Sequence, residues 1–278
     1  MNYFRYSTSK DLPVIKFLMQ SVFGDSEHFI DTLFRLLYSD NVLLAEVDEK
    51  IASMAFLLPA SMQVNHKKLP ATYLYACATL PEYRGKGLMK SILDKAYQDS
   101  CFKNEVGVFL MPATESLFEY YQMIGFNNFF YQNEQKYTLP YTKSIIVKQY
   151  QINPINAKSY AGLRKHFLKE ECAIHYPENH FQLLEDISKT DIFFLITENE
   201  KEKGIAFIEK NGSLFTVKEL LDDGIDIASL NQHFCRQFST YNITIIKPGN
   251  EQKSAMIRLN KSYDFLKEMK GYFNFALD

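Results

Sequence analysis

The pattern of hydrophobic and polar positions divides the first 140 residues into short strands and amphipathic helices. Runs of β-branched and aromatic residues predict strands, and apolar residues that recur three and four positions apart predict helices. The periodicity alone therefore predicts a mixed α/β domain. Its predicted elements are 2–6, 12–22, 26–37, 41–47, 51–58, 61–65, 73–79, 88–97, 105–111, 113–123 and an aromatic-rich returning hairpin at 126–139.

The second half of the chain repeats this organisation more faintly. Asn211-Gly212 is a hairpin turn signal between two strand-like runs, and a helical pattern begins after the aspartate-rich stretch 222–226. We therefore predict two consecutive α/β regions, 1–140 and 150–278. In the second region the predicted helices are 160–169, one that opens at 178, and 227–238, and the predicted strands are 191–197, 205–209, 214–220 and 242–246.

One stretch of the first region carries a chemical signal. A strand-like run at 73–79 stops at Pro81, and Arg84-Gly85-Lys86-Gly87 then leads into a helix that begins near Leu88. A helix that starts after glycines offers free backbone N–H groups and the positive end of its dipole, which suits a phosphate. The stretch lacks the Walker pattern, and Lys90 stands where a Rossmann turn needs its third glycine.

Composition narrows the class of protein. With 31 Lys and Arg against 33 Asp and Glu, the chain has no basic footprint for nucleic acid. No run approaches the roughly 20 apolar residues that span a bilayer, and the first residues lack the apolar core of a signal peptide. We therefore expect a cytoplasmic protein without a membrane partner, with reduced thiols at Cys77, Cys101, Cys172 and Cys235.

A metal site is not expected from the histidine-containing segment 175–180. His175 and His180 flank a proline, and the HExxH pattern of zinc enzymes is absent from the sequence. The simpler interpretation is a polar loop between the two regions that also caps the following helix.

The glycine-containing loop resembles the acetyl-CoA pyrophosphate loop of the GCN5-related N-acetyltransferases, the GNAT family, whose pattern is (Q/R)-x-x-G-x-(G/A). Arg84 and Gly87 match, and Met89 stands where the family usually has Gly or Ala, as the enhanced-intracellular-survival type also tolerates. The resemblance implies a GNAT fold in 1–140 and acetyl-CoA as acyl donor. The donor-binding residues that it implies are Cys77, Ala78, Thr79, Arg84, Gly85, Lys86, Gly87, Leu88 and Met89.

A second motif lies at 117–126, where Tyr121 begins a Y-x-x-x-G-F pattern that resembles the late helix of the family. The resemblance implies that Tyr121 is the general acid that protonates the departing CoA thiolate. A phenol with a pKa near 10 holds its proton at neutral pH and can hydrogen-bond a developing thiolate. Tyr120 takes this role if the register is shifted by one residue.

The resemblance is weaker over 150–278. The aspartates of 222–226 stand where the anion loop should recur, and their carboxylates would repel a pyrophosphate. We therefore expect a degenerate GNAT-like α/β domain that covers the acceptor side, as in a shortened relative of the enhanced-intracellular-survival type. In that type the C-terminal carboxylate acts as base, which suggests the same role for Asp278.

The function that these features imply is transfer of an acetyl group from acetyl-CoA to a primary amine of a small molecule or peptide, by direct attack in a ternary complex. The candidate bases are Glu27, His28 and the carboxylate of Asp278. No metal is required, and Cys77 is a poor nucleophile because no histidine stands at a readable spacing. Two alternatives stay open: a non-catalytic acyl-CoA-binding protein, and a tandem-GNAT aminoacyltransferase that uses aminoacyl-tRNA. The acceptor and the oligomeric state stay open as well.

Overall fold

The structure is a computed structural model that describes residues 2–138, 148–190, 192–212 and 214–273. In the first half the predicted order of strands and helices is confirmed except at two places, in the segments 51–65 and 126–139. Its elements are β1 (Asn2–Tyr6), α1 (Leu12–Phe23), α2 (Glu27–Leu37), β2 (Val42–Val47), β3 (Lys50–Val64), β4 (Lys67–Thr79), α3 (Leu88–Phe102), β5 (Gly107–Leu110), α4 (Glu115–Met123) and β6 (Asn127–Thr138).

The second half contains the predicted elements together with three strands that the sequence analysis missed, which are β7, β8 and β13. Its elements are β7 (Gln151–Pro154), α5 (Ala157–Phe167), β8 (Cys172–His175), α6 (Glu178–Ile187), β9 (Phe193–Glu198), β10 (Lys201–Asn211), β11 (Leu214–Asp222), α7 (Ile227–Phe238), β12 (Asn242–Pro248) and β13 (Gln252–Leu259).

A mixed sheet of 13 strands joins the two halves, and its path runs β1-β2-β3-β4-β5-β13-β6-β12-β11-β10-β9-β7, with β8 paired to β3. Most neighbours are antiparallel, whereas β4 with β5 and β11 with β12 are parallel. Strand β13, from the region 150–278, lies between β5 and β6 of the region 1–140. The two regions therefore share one hydrogen-bonded sheet.

Two predicted strand arrangements are wrong. The aromatic-rich segment predicted as a returning hairpin is the single strand β6, whose partners β12 and β13 are distant in sequence. The strands predicted at 51–58 and 61–65 are one 15-residue strand, β3. Pro59 lies in the part of β3 between the last pair with β2, at Phe56, and the first pair with β8, at Ser61. One edge of β3 is open there, so the missing N–H of proline is tolerated.

The two halves have the same plan. Strand β7 pairs with β9 as β1 pairs with β2, and the parallel pair β11 and β12 corresponds to β4 and β5. The pairing register also shifts in corresponding strands of the two halves, between Ala78 and Tyr75 in β4 and between Glu219 and Val217 in β11. The prediction of two consecutive α/β regions with similar organisation is therefore confirmed.

Both faces of the sheet are covered. One buried cluster contains residues of α1, α2, α5 and α6 together with inward-facing residues of β3, β4 and β5. A second cluster lies on the opposite face of the first half, under α3 and α4, and a third lies under α7. These helices therefore divide the first half into an α3–α4 face and an α1–α2 face.

The histidines of 175–180 are not in a polar loop. His175 ends strand β8 and pairs with Ser61, and His180 lies in the first turns of α6. Both side chains are buried, and neither Nε2 atom has a hydrogen-bond partner among the described residues. Burial lowers the pKa of each imidazole to about 4, and the charges of Arg164 and nearby lysines add to this shift at His175.

Stability should therefore fall on mild acidification. Between pH 6.5 and pH 4 the unfolded chain binds protons at His175 and His180 that the folded chain does not, so the stabilisation present above pH 6.5 is lost as the pH falls. We expect the free energy of unfolding to drop by roughly 3 kcal/mol between pH 7 and pH 5, since each pKa unit is worth about 1.4 kcal/mol. Urea titrations measure the drop, and the His175→Gln/His180→Gln variant should lose most of it.

Candidate functional site

The glycine-containing loop is built to present backbone N–H groups. Gly85 and Gly87 have φ angles of +73° and +76°, and Gly87 is the N-cap of α3. The backbone N–H groups of Gly85, Lys86, Gly87 and Leu88 make no hydrogen bond within the described chain. A Cβ atom on either glycine would meet no atom within 4 Å, so the space in front of the loop is open. These donors and the helix dipole suit an anion.

Side chains around the loop hold its shape. Arg84 Nε donates a hydrogen bond to the carbonyl oxygen of Thr79 at 3.1 Å, which ties the loop to the end of β4. Lys86 Nζ lies 4.9 Å from the centre of the Tyr83 ring. Leu88 is buried and Met89 is partly buried against the apolar cluster under α3, so both side chains pack inward. This inward packing explains how a bulky residue fits at position 89.

A gap opens between β4 and β5 beside the loop. The two parallel strands pair only at Thr72 with Val108 and at Tyr73 with Phe109. Beyond Tyr73, β4 continues to Thr79 while β5 ends at Leu110 and pairs on its other side with β13. The edge of β4 that contains Cys77, Ala78 and Thr79 therefore has no strand partner on the gap side within the described residues.

A β-bulge places Cys77 on the α3–α4 face of the sheet. Ala76 has a φ of +47°, and the pairing with β3 shifts by one residue here, from Met54 opposite Ala78 to Phe56 opposite Tyr75. After the bulge, Cys77 packs on the α3–α4 face although Tyr75 lies on the α1–α2 face. Burial raises the pKa of the Cys77 thiol to about 12, so the thiol is neutral at physiological pH.

Tyr121 lies on the same side of the gap. It is buried in α4, and its ring contacts Tyr120 and Phe126 with centroid distances of 5.3 and 5.7 Å. Burial raises the pKa of Tyr121 well above 10, and the neighbouring Cys77 raises it further. The phenol hydroxyl makes no hydrogen bond to the described residues, so its proton is held but available to a ligand.

Two of the three predicted bases lie on the surface of α2. Glu27 and His28 are exposed at the start of α2, and Glu27 Oε1 is engaged by Lys16 Nζ at 2.8 Å. Asp278 lies outside the described residues. Asp25, in the turn between α1 and α2, is half-buried without an ion-pair partner in the described chain, and burial raises the pKa of its carboxyl. Asp25 is therefore the carboxyl in this turn best suited to meet a cation.

The α1–α2 face of the gap is aromatic, which the motif analysis did not predict. The rings of Tyr73 and Phe109 stack at 5.3 Å across the point where β4 and β5 separate. Tyr176 and Phe273 contact Tyr73 at 6.1 and 5.6 Å, so the second half supplies part of this wall. Aromatics at every second position, Tyr73 and Tyr75, are the local signal for the β4 part, whereas no local pattern indicates the contribution of 176 and 273.

The high pKa of Cys77 predicts that this thiol is not a covalent nucleophile. Cys77→Ala should keep the rate of acyl transfer within about fivefold of the parent, because only the thiolate is nucleophilic and little is present near pH 8. Steady-state release of CoA measures this rate, with Cys101→Ala as the matched control. A loss of a thousandfold or more in Cys77→Ala would indicate an acyl-cysteine route instead.

Two wider searches of the described chain complete the description of the site. No group of three or more His, Cys, Asp or Glu side chains is arranged to hold a metal ion in the part that the structure describes. Within the same ranges no helix is long and apolar enough to cross a membrane.

Comparison with solved structures shows the same fold over most of the chain. A conserved protein from Enterococcus faecalis V583, described as a probable N-acyltransferase, has a TM-score of 0.77 at 13% identity and covers 94% of this chain and 73% of its own. A GCN5-related N-acetyltransferase from Anabaena variabilis has a TM-score of 0.74 at 14% identity, and the match covers 94% of this chain and 74% of that protein's chain. Eis1 from Mycobacterium abscessus has a TM-score of 0.68 at 11% identity, and the match again covers 94% of this chain and 74% of the Eis1 chain.

The sequence itself matches a family model over its first half. Residues 3–129 match the model described as an acetyltransferase (GNAT) domain, a range that contains the loop, the β4–β5 gap and Tyr121. No curated protein sequence matches the chain. Residues 3–129 therefore form an acyltransferase domain of the GNAT type.

Proposed function

We propose that the protein transfers an acetyl group from acetyl-CoA to a primary amine of a small molecule or peptide, by direct attack in a ternary complex. One observation carries the proposal. The free N–H groups at the start of α3 lie at the end of β4, whose open edge leads into the gap between β4 and β5. This order, with an anion-binding loop at one end and an open strand edge leading into a gap, matches an extended thioester that has a diphosphate at one end.

The loop would hold the pyrophosphate of the donor. Backbone N–H groups of 85–88 have no hydrogen-bond partner in the described chain and would donate to phosphate oxygens, with the α3 dipole adding to the attraction. Arg84 would order the loop through its bond to Thr79. The pantetheine arm would lie along Cys77–Thr79 as an added strand, because main-chain groups on an open edge pair with an extended ligand.

The chemistry then needs a neutral amine and a protonated leaving group. The amine nitrogen attacks the thioester carbon, the new C–N bond forms, and the C–S bond breaks to release the CoA thiolate. Tyr121 would give its proton to the sulfur and regain one from solvent. An N–H of the bulged β4 edge would stabilise the negative charge on the carbonyl oxygen.

A carboxylate is needed on the acceptor side, because a protonated amine cannot attack. We propose that Asp25 attracts the ammonium form of the acceptor amine. The proton of this ammonium group would then leave through Asp25, Glu27, His28 or water. The aromatic wall of Tyr73, Phe109, Tyr176 and Phe273 is buried and would support the acceptor side from beneath. In this proposal the region 1–140 binds the donor and the region 150–278 covers the acceptor side.

Calorimetric titration with acetyl-CoA is the experiment that tests the proposal. Saturable binding, followed by CoA release with at least one member of an amine panel, is the expected result. Binding without turnover across the panel would favour a non-catalytic acyl-CoA-binding protein. Absence of binding to the folded protein, together with retention of RNA on a filter, would favour the aminoacyl-tRNA-dependent alternative.

A further inference from the structure

Strand β13, from the second half of the chain, contributes a positively charged side chain, that of Arg258, to the donor side of the first half. It pairs with β5 so that Arg258 lies opposite Val108. Met256 belongs to the apolar cluster under α3 and α4, and Ile257 belongs to the cluster on the other face. Because side chains alternate along a strand, Arg258 shares the α3–α4 face with Met256.

Two contacts hold the Arg258 guanidinium, and Gly125 lies close beside it. Nη1 donates to Asp94 Oδ1 of α3 at 2.6 Å, and the guanidinium carbon lies 4.1 Å from the centre of the Tyr97 ring one turn further along the helix. A Cβ on Gly125, which follows α4, would lie only 3.3 Å from Arg258 Nε. The side chain therefore fills the space between α3 and the end of α4.

The contact with Gly125 gives the Y-x-x-x-G-F pattern a physical reason in this chain. Gly125 has a φ of +96°, which disfavours other residues, and any side chain there would also meet the guanidinium. The backbone N–H of Phe126 donates to the carbonyl oxygen of Tyr121 at 3.0 Å, so this corner is hydrogen-bonded directly to Tyr121. Movement of the corner would therefore move the phenol.

Arg258 also belongs to a charge network on α3. Asp94 accepts from Arg258 through one oxygen and from Lys90 Nζ through the other, at 2.6 Å each. The side chains of Arg258 and Asp94 are 23% and 29% exposed, so the pair is largely shielded from water. A shielded, hydrogen-bonded ion pair fixes the distance between the elements that it joins.

We propose that Arg258 is a positioning residue for acyl transfer, which sets the spacing between α3, with its donor loop, and α4, with Tyr121. This inference rests on the proposed function. Arg258 acts through Asp94 and the Gly125 corner and does not touch the donor. Since Asp94 lies about two turns along α3 from Gly87, the loop keeps its own geometry when the pair is broken.

The first test separates catalysis from binding. Arg258→Met should lower kcat by about tenfold or more, because a small misplacement of a catalytic group has a large effect on rate. It should leave the Kd for acetyl-CoA within threefold, and Arg258→Lys should restore part of kcat by keeping the charge near Asp94. Arg5→Met is the matched control, since Arg5 is similarly shielded and its partners, Asp11 before α1 and Glu46 of β2, belong to neither α3 nor α4.

A second readout does not depend on turnover. The ¹⁹F resonance of 3-fluorotyrosine placed at position 121 should shift in Arg258→Met and in Asp94→Asn, and stay in place in Arg5→Met. If no amine is acetylated but this resonance shifts, the proposed function fails and the positioning role stands. A kcat of folded Arg258→Met within twofold of the parent, or an unmoved resonance, would overturn the inference.

Discussion

Replacing Gly87 by Asp should abolish binding of acetyl-CoA, with a loss of affinity of at least a hundredfold in calorimetric titration. The N-cap position faces the space where the diphosphate would lie, and a Cβ there meets no protein atom. The new carboxylate would therefore stand beside the phosphates, where repulsion at about 4 Å is worth several kcal/mol in a partly shielded site.

Two variants isolate the cause of this loss. Gly87→Asn has nearly the same shape without the charge, and Asn tolerates the left-handed conformation better than most residues, so its affinity should stay within about tenfold of the parent. Gly212→Asp is the matched control for the backbone, because Gly212 has a φ of +60° and open surroundings in a remote hairpin turn. Parental affinity in Gly87→Asp would mean that the donor binds elsewhere.

Replacing Tyr121 by Phe should lower kcat by roughly a hundredfold and change the affinity for acetyl-CoA less than threefold. Removing a general acid typically slows a reaction by that order, whereas the phenyl ring keeps the packing against Tyr120 and Phe126. Steady-state release of CoA and calorimetric titration measure the two quantities separately.

The control for this variant is Tyr120→Phe, which removes the adjacent hydroxyl. Burial raises the pKa of both phenols, and Tyr121 is the more buried of the two. Because its pKa lies well above 10, Tyr121 should keep its proton at pH 9, and the rate should not fall there through loss of the acid. A rate defect confined to Tyr120→Phe would transfer the role of acid to Tyr120.

The donor loop is the part of the site that could be predicted best from the sequence. Gly85 and Gly87 have the left-handed conformations that only glycine adopts freely, and α3 begins at Leu88 where the helical spacing begins. Strand, loop and helix are neighbours in sequence here, so local rules describe them well. The same reasoning located α4.

Prediction was poorer where partners are distant in sequence. The β-bulge at Ala76 depends on the register with β3, and no spacing of residues around 73–79 indicates it. Strand β8 is missed, and its last residue His175 is assigned to a polar loop, because the pairing with β3, more than a hundred residues away, supplies the hydrogen bonds that stabilise the strand. The aromatic wall of the acceptor side needs Tyr176 and Phe273 beside Tyr73, which only folding brings together.

The sequence by itself determined the local conformations of this protein, namely which segments are helical, where glycine permits an N–H-lined loop, and that two similar α/β regions follow one another. Only the tertiary structure decided that β13 enters the sheet between β5 and β6, that β4 and β5 separate after two residue pairs, and that Arg258 reaches α3. The physical reason is that backbone preferences act over a few residues, whereas strand pairing and burial join residues far apart in the chain.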